Sequence, residues 1–460
     1  MQDKEIITFG GMTDQEKIAH LEARVADLEE KLSVVLGLLA KKSVKKDSRN
    51  SSIPPSQDLS RKKTQSLRTK SDKKTGGQPG HQGSNLKMVA APDQVEELRH
   101  SYCGKCGHAF EEHELFYQKS RQVIDIPLPK PIVKEYRQYV GRCGCGCKQA
   151  ADFPLHVNAP VQYGKNLEAL VGYLSVGQYI PYQRMTQVLS DVFSVNLSQG
   201  TVDNMLNRLG EKAAWFYERI REELSEGRLP VGADETGCAV NGDHDWTWVW
   251  QNEAYCYLTI SDNRGSATVA EHFTEGFPNA VLSSDRWAAH LKTAAAQHQI
   301  CLVHLLRELK YLEALEKHPF ATGLGSLFRG AIHAKKQQQV FEYGSPASQR
   351  FEQGLDLLLK ETIPKEHYPQ TAKLQKSLLK LRQAAFPFLY EAKLRADNNA
   401  SERSIRNIKV KMKVSGMFKS GHSIYAKLKS VMETIQRKGQ NIWQTFINLA
   451  NTDYHWQYAE

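Results

Sequence analysis

The sequence has no apolar run near the roughly 18 residues that a membrane helix needs. Its longest, around Val34 to Ala40, is short and broken by Gly37, which excludes a membrane-spanning helix. The first residues, MQDKEIITFG, lack the basic-then-apolar pattern of a secretory signal, so a cytoplasmic protein is expected. Cysteine is scarce, 8 of 460 residues, and in that compartment thiols serve as metal ligands or buried side chains rather than disulfides. A hydrophobic content of 40% excludes a disordered chain, and a length of 460 residues allows two to four domains. Acidic residues are nearly missing from one stretch: residues 41–87 hold 3 Asp and Glu against 13 Lys and Arg, whereas the remainder balances at 48 against 48. A focused basic segment suits a polyanion, because cations gain by releasing counterions from phosphates; the plain alternative is a solvated linker.

Apolar residues at Ile18, Leu21, Val25, Leu28, Leu32, Val35 and Leu39 alternate spacings of three and four. That is a heptad seam, and it predicts a helix over 14–42 that self-associates as a coiled coil or else packs on its own domain. A polar stretch rich in Ser, Pro, Gly and Lys follows, predicted to be extended. Cys103 and Cys106 then form a C-x-x-C, and Cys143, Cys145 and Cys147 a second cluster, joined by the strand-like RQVIDIPLP and IVKEYRQYV. Thiolate pairs at this spacing suit a tetrahedral structural Zn²⁺. Both Cys103 and Cys106 and two of the last three are expected to ligate, and the alternative is free buried cysteines.

PYQRMTQVLSDVF, a short link and LSQGTVDNMLNRLG resemble a helix-turn-helix, with Val188, Leu189 and Val192 expected to pack on Val202, Leu206 and Leu209. Ser198 is a suitable N-cap, and Gln199, Thr201, Asn204, Asn207 and Arg208 would face outward with groove-reading chemistry. A simple helical hairpin would show the same pattern.

From residue 229 the period changes to that of strands. LPVGADETGCAV, TWVWQ and AYCYLTI form a predicted meander, with an Asn241–Asp243 turn between the first two. A helix follows near 266–273, then the strand AVLSSD ending on Asp285, the helix WAAHLKTAAAQH, the strand ICLVH and the helix LLRELKYLEALEK. The order β-β-β-α-β-α-β-α is that of a ribonuclease H-like fold, an α/β core with a mixed five-stranded sheet covered by helices. In this order the middle of the first strand neighbours the end of the fourth, which would bring Asp234 to Asp285. In-line phosphodiester cleavage uses two metal ions about 4 Å apart, and carboxylate oxygens hold hard cations such as Mg²⁺. The third carboxylate is assigned to Glu402, 117 positions beyond Asp285, which requires a helical insertion between them. Residues 403–429 contain 8 Lys or Arg and no Asp or Glu; among them Arg403, Arg406, Lys409, Lys411 and Lys413 are candidate DNA contacts. Each carboxylate has a simpler reading: Glu235 as the ligand instead of Asp234, Asp285 as a helix cap, Glu402 paired with Arg406. His304 is equally readable as a core histidine, and Trp287 as a core side chain or a platform for a displaced base.

Across nearly its whole length the sequence resembles the insertion-sequence family 66 transposases. The motifs that carry the resemblance are SRNSSIPPSQD (Ser48 to Asp58), GGQPGHQG (Gly76 to Gly83), the cysteine module, ADET around Asp234, SSDRW around Asp285, NNASERSIR around Glu402, and ICLVHLLREL with Cys301, His304 and Arg307. The C-x-C-x-C of the second cysteine cluster departs from the regular knuckle pattern. The resemblance implies a DDE-type transposase in a bacterial, nucleoid-associated setting, using two Mg²⁺ or Mn²⁺ ions on Asp234, Asp285 and Glu402, with His304 near the metals. It also implies binding of terminal inverted repeats and target DNA, an assembly of at least a dimer, and small accessory proteins as possible partners. The expected domains are an N-terminal coiled coil (1–47), a basic linker (48–98), a zinc module (99–160), a helix-turn-helix region (161–226), a ribonuclease H-like core (227–305 and 393–460) and a helical insertion (306–392). A non-enzymatic DNA-binding regulator would account for the coiled coil, zinc module and helix-turn-helix, but not for the ordered carboxylates; a nuclease that cuts without joining would account for both.

Overall fold

In the computed structural model, which describes residues 13–43, 46, 47, 50, 80, 86–337 and 340–451, the chain divides into two units. One holds residues 1–61, 134–191 and 195–460, the other residues 62–133 and 192–194. Most of the basic linker, including nearly all of the Ser48–Asp58 and Gly76–Gly83 motifs, lies outside the described residues. No helix among the described residues is long and apolar enough to cross a membrane.

In the larger unit, helix α1 (Asp14–Ser43) carries the heptad seam, and Ile18, Leu21, Val25, Leu28, Leu32 and Val35 are all about half exposed along it. Strands β1 (Val140–Arg142) and β2 (Lys148–Ala150) form a small antiparallel hairpin. Helices α2 (Lys165–Gly172), α3 (Tyr182–Phe193), α4 (Gln199–Lys212) and α5 (Ala214–Glu226) follow further along the chain. Ser198 caps α4 by accepting from the Thr201 backbone N–H at 3.0 Å. Leu189, Val202, Leu206 and Leu209 are buried, but Val192 is half exposed and Met185 takes the buried position instead.

The central sheet contains β3 (Val231–Val240), β4 (Asp243–Gln251), β5 (Cys256–Ser261), β6 (Phe277–Ser284) and β7 (Ala295–Ile300), ordered β5-β4-β3-β6-β7. The first three pair antiparallel, while β3 with β6 and β6 with β7 pair parallel. The β3–β4 connection is two residues, Asn241 and Gly242, both at positive φ (51° and 93°), the backbone that a tight right-twisted hairpin demands and that Asn-Gly supplies. Helix α6 (Ser266–His272) precedes β6, and α7 (Ala288–Lys292) precedes β7. Here the structure departs from the sequence pattern. Helix α7 stops at Lys292, and the alanine run from Ala295 forms the fifth strand. Alanine favours helix, but pairing along β6 in a parallel ladder outweighs that weak preference. Of the ICLVH segment only Ile300 lies in a strand, the end of β7; Cys301 stands at the N-cap of α8 (Leu302–Leu315) and Leu302–His304 begin it.

Helices α8, α9 (Pro319–Gln337), α10 (Pro346–Leu359), α11 (Pro369–Lys380) and α12 (Pro387–Tyr390) surround a core of their own that includes Leu305, Leu309, Phe320, Phe328, Phe351 and Phe388. The chain then returns to the sheet in α13 (Asn399–Ser415), α14 (His422–Arg437) and α15 (Ile442–Asn451). Ser430 and Thr434 of α14 accept from backbone N–H groups of β5 at 2.8 and 3.1 Å. In the smaller unit, Tyr102 bridges Ala109 and a short 3₁₀ turn covers Glu112–Glu114. The stretch from Arg121 to Tyr139, expected to be strand-like, forms no regular element, and Val123, Ile126 and Ile132 stay exposed.

Candidate active site

The register between β3 and β6 decides the geometry of the aspartates. Val231 pairs with Leu282 and Gly232 with Ser283. Two residues further along both parallel strands stand Asp234 and, just past the end of β6, Asp285, at the same level of the sheet and on the face shared by i and i+2. Asp234 Oδ1 accepts from the Glu235 N–H at 3.0 Å, and Asp285 Oδ1 from the Trp287 N–H at 2.8 Å.

Helix α13 brings Glu402 in from the far end of the chain, and the contacts of its first turn explain how it is held. Asn398 stands at the N-cap but does not cap with its side chain. Its Nδ2 instead donates to the Ala233 carbonyl at 2.7 Å, one residue before Asp234, while its Oδ1 accepts from the Ser401 hydroxyl at 2.7 Å. The Asn398 backbone N–H donates to Cys301 Sγ at 3.3 Å. Cys301 also begins α8, which carries His304 in its first turn. Burial pushes the Cys301 thiol up to about 11, so at neutral pH it is an S–H group that supports the helix start rather than a thiolate. The helix can approach so closely because β3 has glycine at 232. A Cβ there would lie 2.7 Å from Ser401 Oγ and 2.8 Å from both Asn398 Oδ1 and Gln251 Nε2.

The electrostatics are those of uncompensated negative charge. Burial, and then the neighbouring charges of Glu235, Asp285 and Glu402, raise the Asp234 carboxyl well above its ordinary range. Glu402 Oε1 is buried without a hydrogen-bond partner, and His304 Nε2 lies 3.6 Å from it. Burial, outweighing the attraction of Glu402, holds His304 below its usual value, which keeps the imidazole neutral near pH 7. Of these oxygens Glu402 Oε1 is the one buried without a partner. Carboxylates that repel one another around Asp234 are an oxygen donor set of the kind a hard divalent cation takes. Among the described residues, however, the ligand atoms of Asp234, Asp285 and Glu402 are not drawn within 4.8 Å of one another.

A second cluster lies beside it. Ligand atoms of Glu235, Asp285 and His290 are all within 4.8 Å of one another. The Glu235 side chain is only 2% exposed, and its oxygens are already occupied: Oε1 accepts from Arg264 Nε (3.0 Å) and Nη2 (2.8 Å), and Oε2 lies 2.8 Å from His290 Nε2. Burial alone would raise the Glu235 carboxyl, but His290 and Arg264 together hold it low. The Arg264 guanidinium is stacked between Trp246 at 4.3 Å and Trp287 at 4.0 Å. Glu235 is thus neutralised by its own cations, unlike Asp234 and Glu402. From the sequence, Glu235 was only an alternative ligand, and Arg264, His290 and Asn398 did not stand out; only the doubled Asn before a helical stretch hints at the last.

Several candidate DNA contacts have other engagements. Trp287 has one face covered by Arg264 and donates its Nε1 to the Arg264 carbonyl at 3.1 Å. Lys409 donates to the Gly237 carbonyl at 2.9 Å. Lys411 is 6% exposed, with its ammonium 5.6 Å from the Tyr425 ring centre, which takes it off the surface that DNA can reach. Arg208 pairs with the buried Glu168 at 3.3 Å. Arg403, Arg406 and Lys413 are exposed, as are Gln199 and Asn204, while Thr201 lies half-buried beside Ser198.

The cysteines form two turns, one in each unit. The Cys103 N–H donates to His108 O at 2.8 Å and the Gly107 N–H to Cys103 O at 2.9 Å; the Cys143 N–H donates to Cys147 O and the Gly146 N–H to Cys143 O, both at 2.9 Å. Each turn uses a glycine at positive φ, Gly107 (76°) and Gly146 (88°), directly after a cysteine. The Cys147 N–H and the neighbouring thiols of Cys143 and Cys147 draw Cys145 down to about 7, and the Lys105 and Cys106 N–H groups likewise lower Cys103.

Known proteins resemble this chain. The family model described as "Transposase IS66 family" matches residues 160–424, more than half of the chain and all three carboxylates. A protein of Sinorhizobium fredii (strain NBRC 101917 / NGR234), described as "Uncharacterized protein y4qI", is 24% identical over 368 residues, covering 71% of this chain and 67% of its own. The solved structure of the Mos1 transposase paired-end complex with left transposon end aligns at 14% identity over 51% of this chain and 83% of its own, with a TM-score of 0.13, a likeness too weak to bear on the fold.

Proposed function

The chain belongs to the Transposase IS66 family, and from that premise we propose that it cuts and joins DNA at the ends of a mobile element, with Asp234, Asp285 and Glu402 as its catalytic metal ligands. The observation that carries this reading is the alignment of Asp234 with Asp285 across β3 and β6, with Glu402 delivered by a helix anchored one residue from Asp234. A pair of Mg²⁺ or Mn²⁺ ions, when bound, would supply the positive charge that favours in-line displacement at a phosphodiester. The three carboxylates would hold those ions, since their oxygens lack competing cations of their own. His304, neutral and close to Glu402, would orient that carboxylate. Glu235 with Arg264 and His290 would keep the β3 end and the Asp285 turn rigid, rather than take an ion.

The remaining segments fit the handling of DNA. Exposed Lys413 and the α4 residues Gln199 and Asn204 would face terminal inverted repeats or target DNA, and the α1 seam would join two copies of the chain. Accessory proteins of the same element are possible further partners. The cysteine spacing supports a structural Zn²⁺ held by Cys103, Cys106 and two of Cys143, Cys145 and Cys147. Metal content of the purified protein tests this directly: one zinc per chain is expected, and no zinc, or zinc unaffected by Cys103→Ser, would refute it.

The function itself is tested by incubating the protein with labelled element-end DNA and Mg²⁺. Cleaved and joined products are expected. Intact binding with no cleavage would overturn the enzymatic reading in favour of a regulator, and cleavage without joining would favour a nuclease.

A further inference from the structure

A cavity of about 690 Å³, lined mainly by charged and amide side chains, opens where the first two turns of α13 meet the ends of β3 and β4 and the start of the return segment near residue 393. Asp234, Asp285 and Glu402 are not among its walls. Gly232 and Ser283, two residues before the aspartates on the same strands, do line it. Cavity and carboxylates therefore share one face of the sheet and are separated by the α13 turn that crosses Gly232.

Five cations and three carboxylates line this cavity. Three of each are matched: Lys393 with Glu253, Arg395 with Asp397, and Arg437 with Glu433. Among the described residues, Arg403 and Arg406 are left with no acidic partner, a surplus of two positive charges at the mouth of a concave polar site. The floor is rigid. Arg437 donates to Ser404 Oγ at 2.9 Å as well as to Glu433, and Gln251 donates to Ser401 Oγ at 3.3 Å. Ser283 is 5% exposed, and its hydroxyl has no hydrogen-bond partner among the described residues, although buried polar groups are nearly always satisfied. The positive dipole end of α13 also opens here, with the Asn399 N–H already donating to Asp397 Oδ1 at 3.1 Å.

Volume, polarity, two spare guanidinium forks and an unsatisfied hydroxyl describe a receptor for a phosphate ester. We propose that this cavity binds a phosphate ester of a DNA strand outside the scissile one, holding the strand on the opposite side of α13 from the catalytic carboxylates. The assignment to DNA rather than to a free nucleotide rests on the function proposed above; the preference for a phosphate ester rests on the cavity alone.

The test uses the full chain in Ca²⁺ instead of Mg²⁺, with fluorescence anisotropy of a labelled oligothymidylate over a range of salt. Arg403→Gln with Arg406→Gln is expected to weaken binding about tenfold and to flatten the salt dependence by roughly 0.7 in log–log slope for each phosphate no longer neutralised. Arg403→Lys with Arg406→Lys should keep most of the slope. Ser283→Ala, which removes only the hydroxyl, should weaken binding about threefold. Unchanged affinity and slope in the double glutamine variant would overturn the proposal. So would the case in which deoxyadenosine monophosphate raises the Tm of the parent protein but not of that variant while oligothymidylate binds both equally, since the cavity would then serve a free nucleotide. Because this readout needs no cutting, a protein that binds as expected yet never cleaves DNA would sink the proposed function and leave the cavity standing.

Discussion

Asn398 occupies a helix-capping position and directs its amide to β3 instead, donating to the carbonyl beside Asp234. Replacing it by Ala leaves that buried carbonyl unsatisfied and frees the start of the catalytic helix. The expected cost is about 1–3 kcal/mol of stability, with cleavage falling on the order of 10²-fold because Glu402 is misplaced; single-turnover rates alongside thermal unfolding separate the two. Lys411 makes a different case. Burial pulls its ammonium down to about 8 from 10.5, so the folded state disfavours the charged form. That cost is fully present below pH 8 and falls away as pH rises from 8 towards 10.5, where the unfolded chain still binds the proton and the folded chain does not. Lys411→Met should therefore stabilise the protein at pH 7 by up to about 3 kcal/mol, abolish this part of the rise in stability above pH 8, and leave DNA affinity within about twofold. A marked loss of DNA affinity would return Lys411 to the DNA surface.

At the scale of elements, the packing of α13 on β3 is what assembles the site. Gly232→Ala would place a methyl group under 3 Å from the side-chain ends of Ser401, Asn398 and Gln251, which are tied to one another and to the Ala233 carbonyl by hydrogen bonds that a shift would break. Overpacking of this kind costs about 1–3 kcal/mol, and the resulting shift of α13 should reduce cleavage more than it reduces Tm. Much of this element order was legible. The Asn-Gly turn and alternating strands pointed to the meander, and DET within the first strand and SSD at the end of the fourth pointed to the aspartates. The register that aligns them was not legible, because a parallel ladder leaves no local signature. Residues 295–300 misled for the same reason: their alanines favour helix, and only the neighbouring β6 makes them a strand. On α13 the basic run was visible, but not which cations point inward. The Glu235–Arg264–His290 group joins residues 29 and 55 positions from Glu235, beyond what any local pattern reveals.

At the scale of the whole molecule, α1 presents a half-exposed apolar seam from Ile18 to Val35. Such a stripe is stabilised by burial against a matching helix, and the proposed joining of DNA ends would have use for two linked copies. In a dimer so joined, each chain would bring its α4 surface and its catalytic sheet to one DNA end. Leu21→Glu with Leu28→Glu should shift the protein to monomer in light scattering at micromolar concentration while leaving the fold of the sheet intact. An oligomer unchanged by this pair would show that α1 packs elsewhere.

On this reading the working ligands are the carboxylates without cations of their own, and not the neutralised Glu235 beside them. Single-turnover cleavage of element-end DNA in Mg²⁺ by Glu402→Gln and by Glu235→Gln compares the two directly. A loss of about 10³-fold or more is expected for Glu402→Gln, and for Glu235→Gln a lower Tm with cleavage retained within about tenfold at permissive temperature. Cleavage unchanged in Glu402→Gln and abolished in a folded Glu235→Gln protein would contradict it and move the metal site to Glu235, Asp285 and His290.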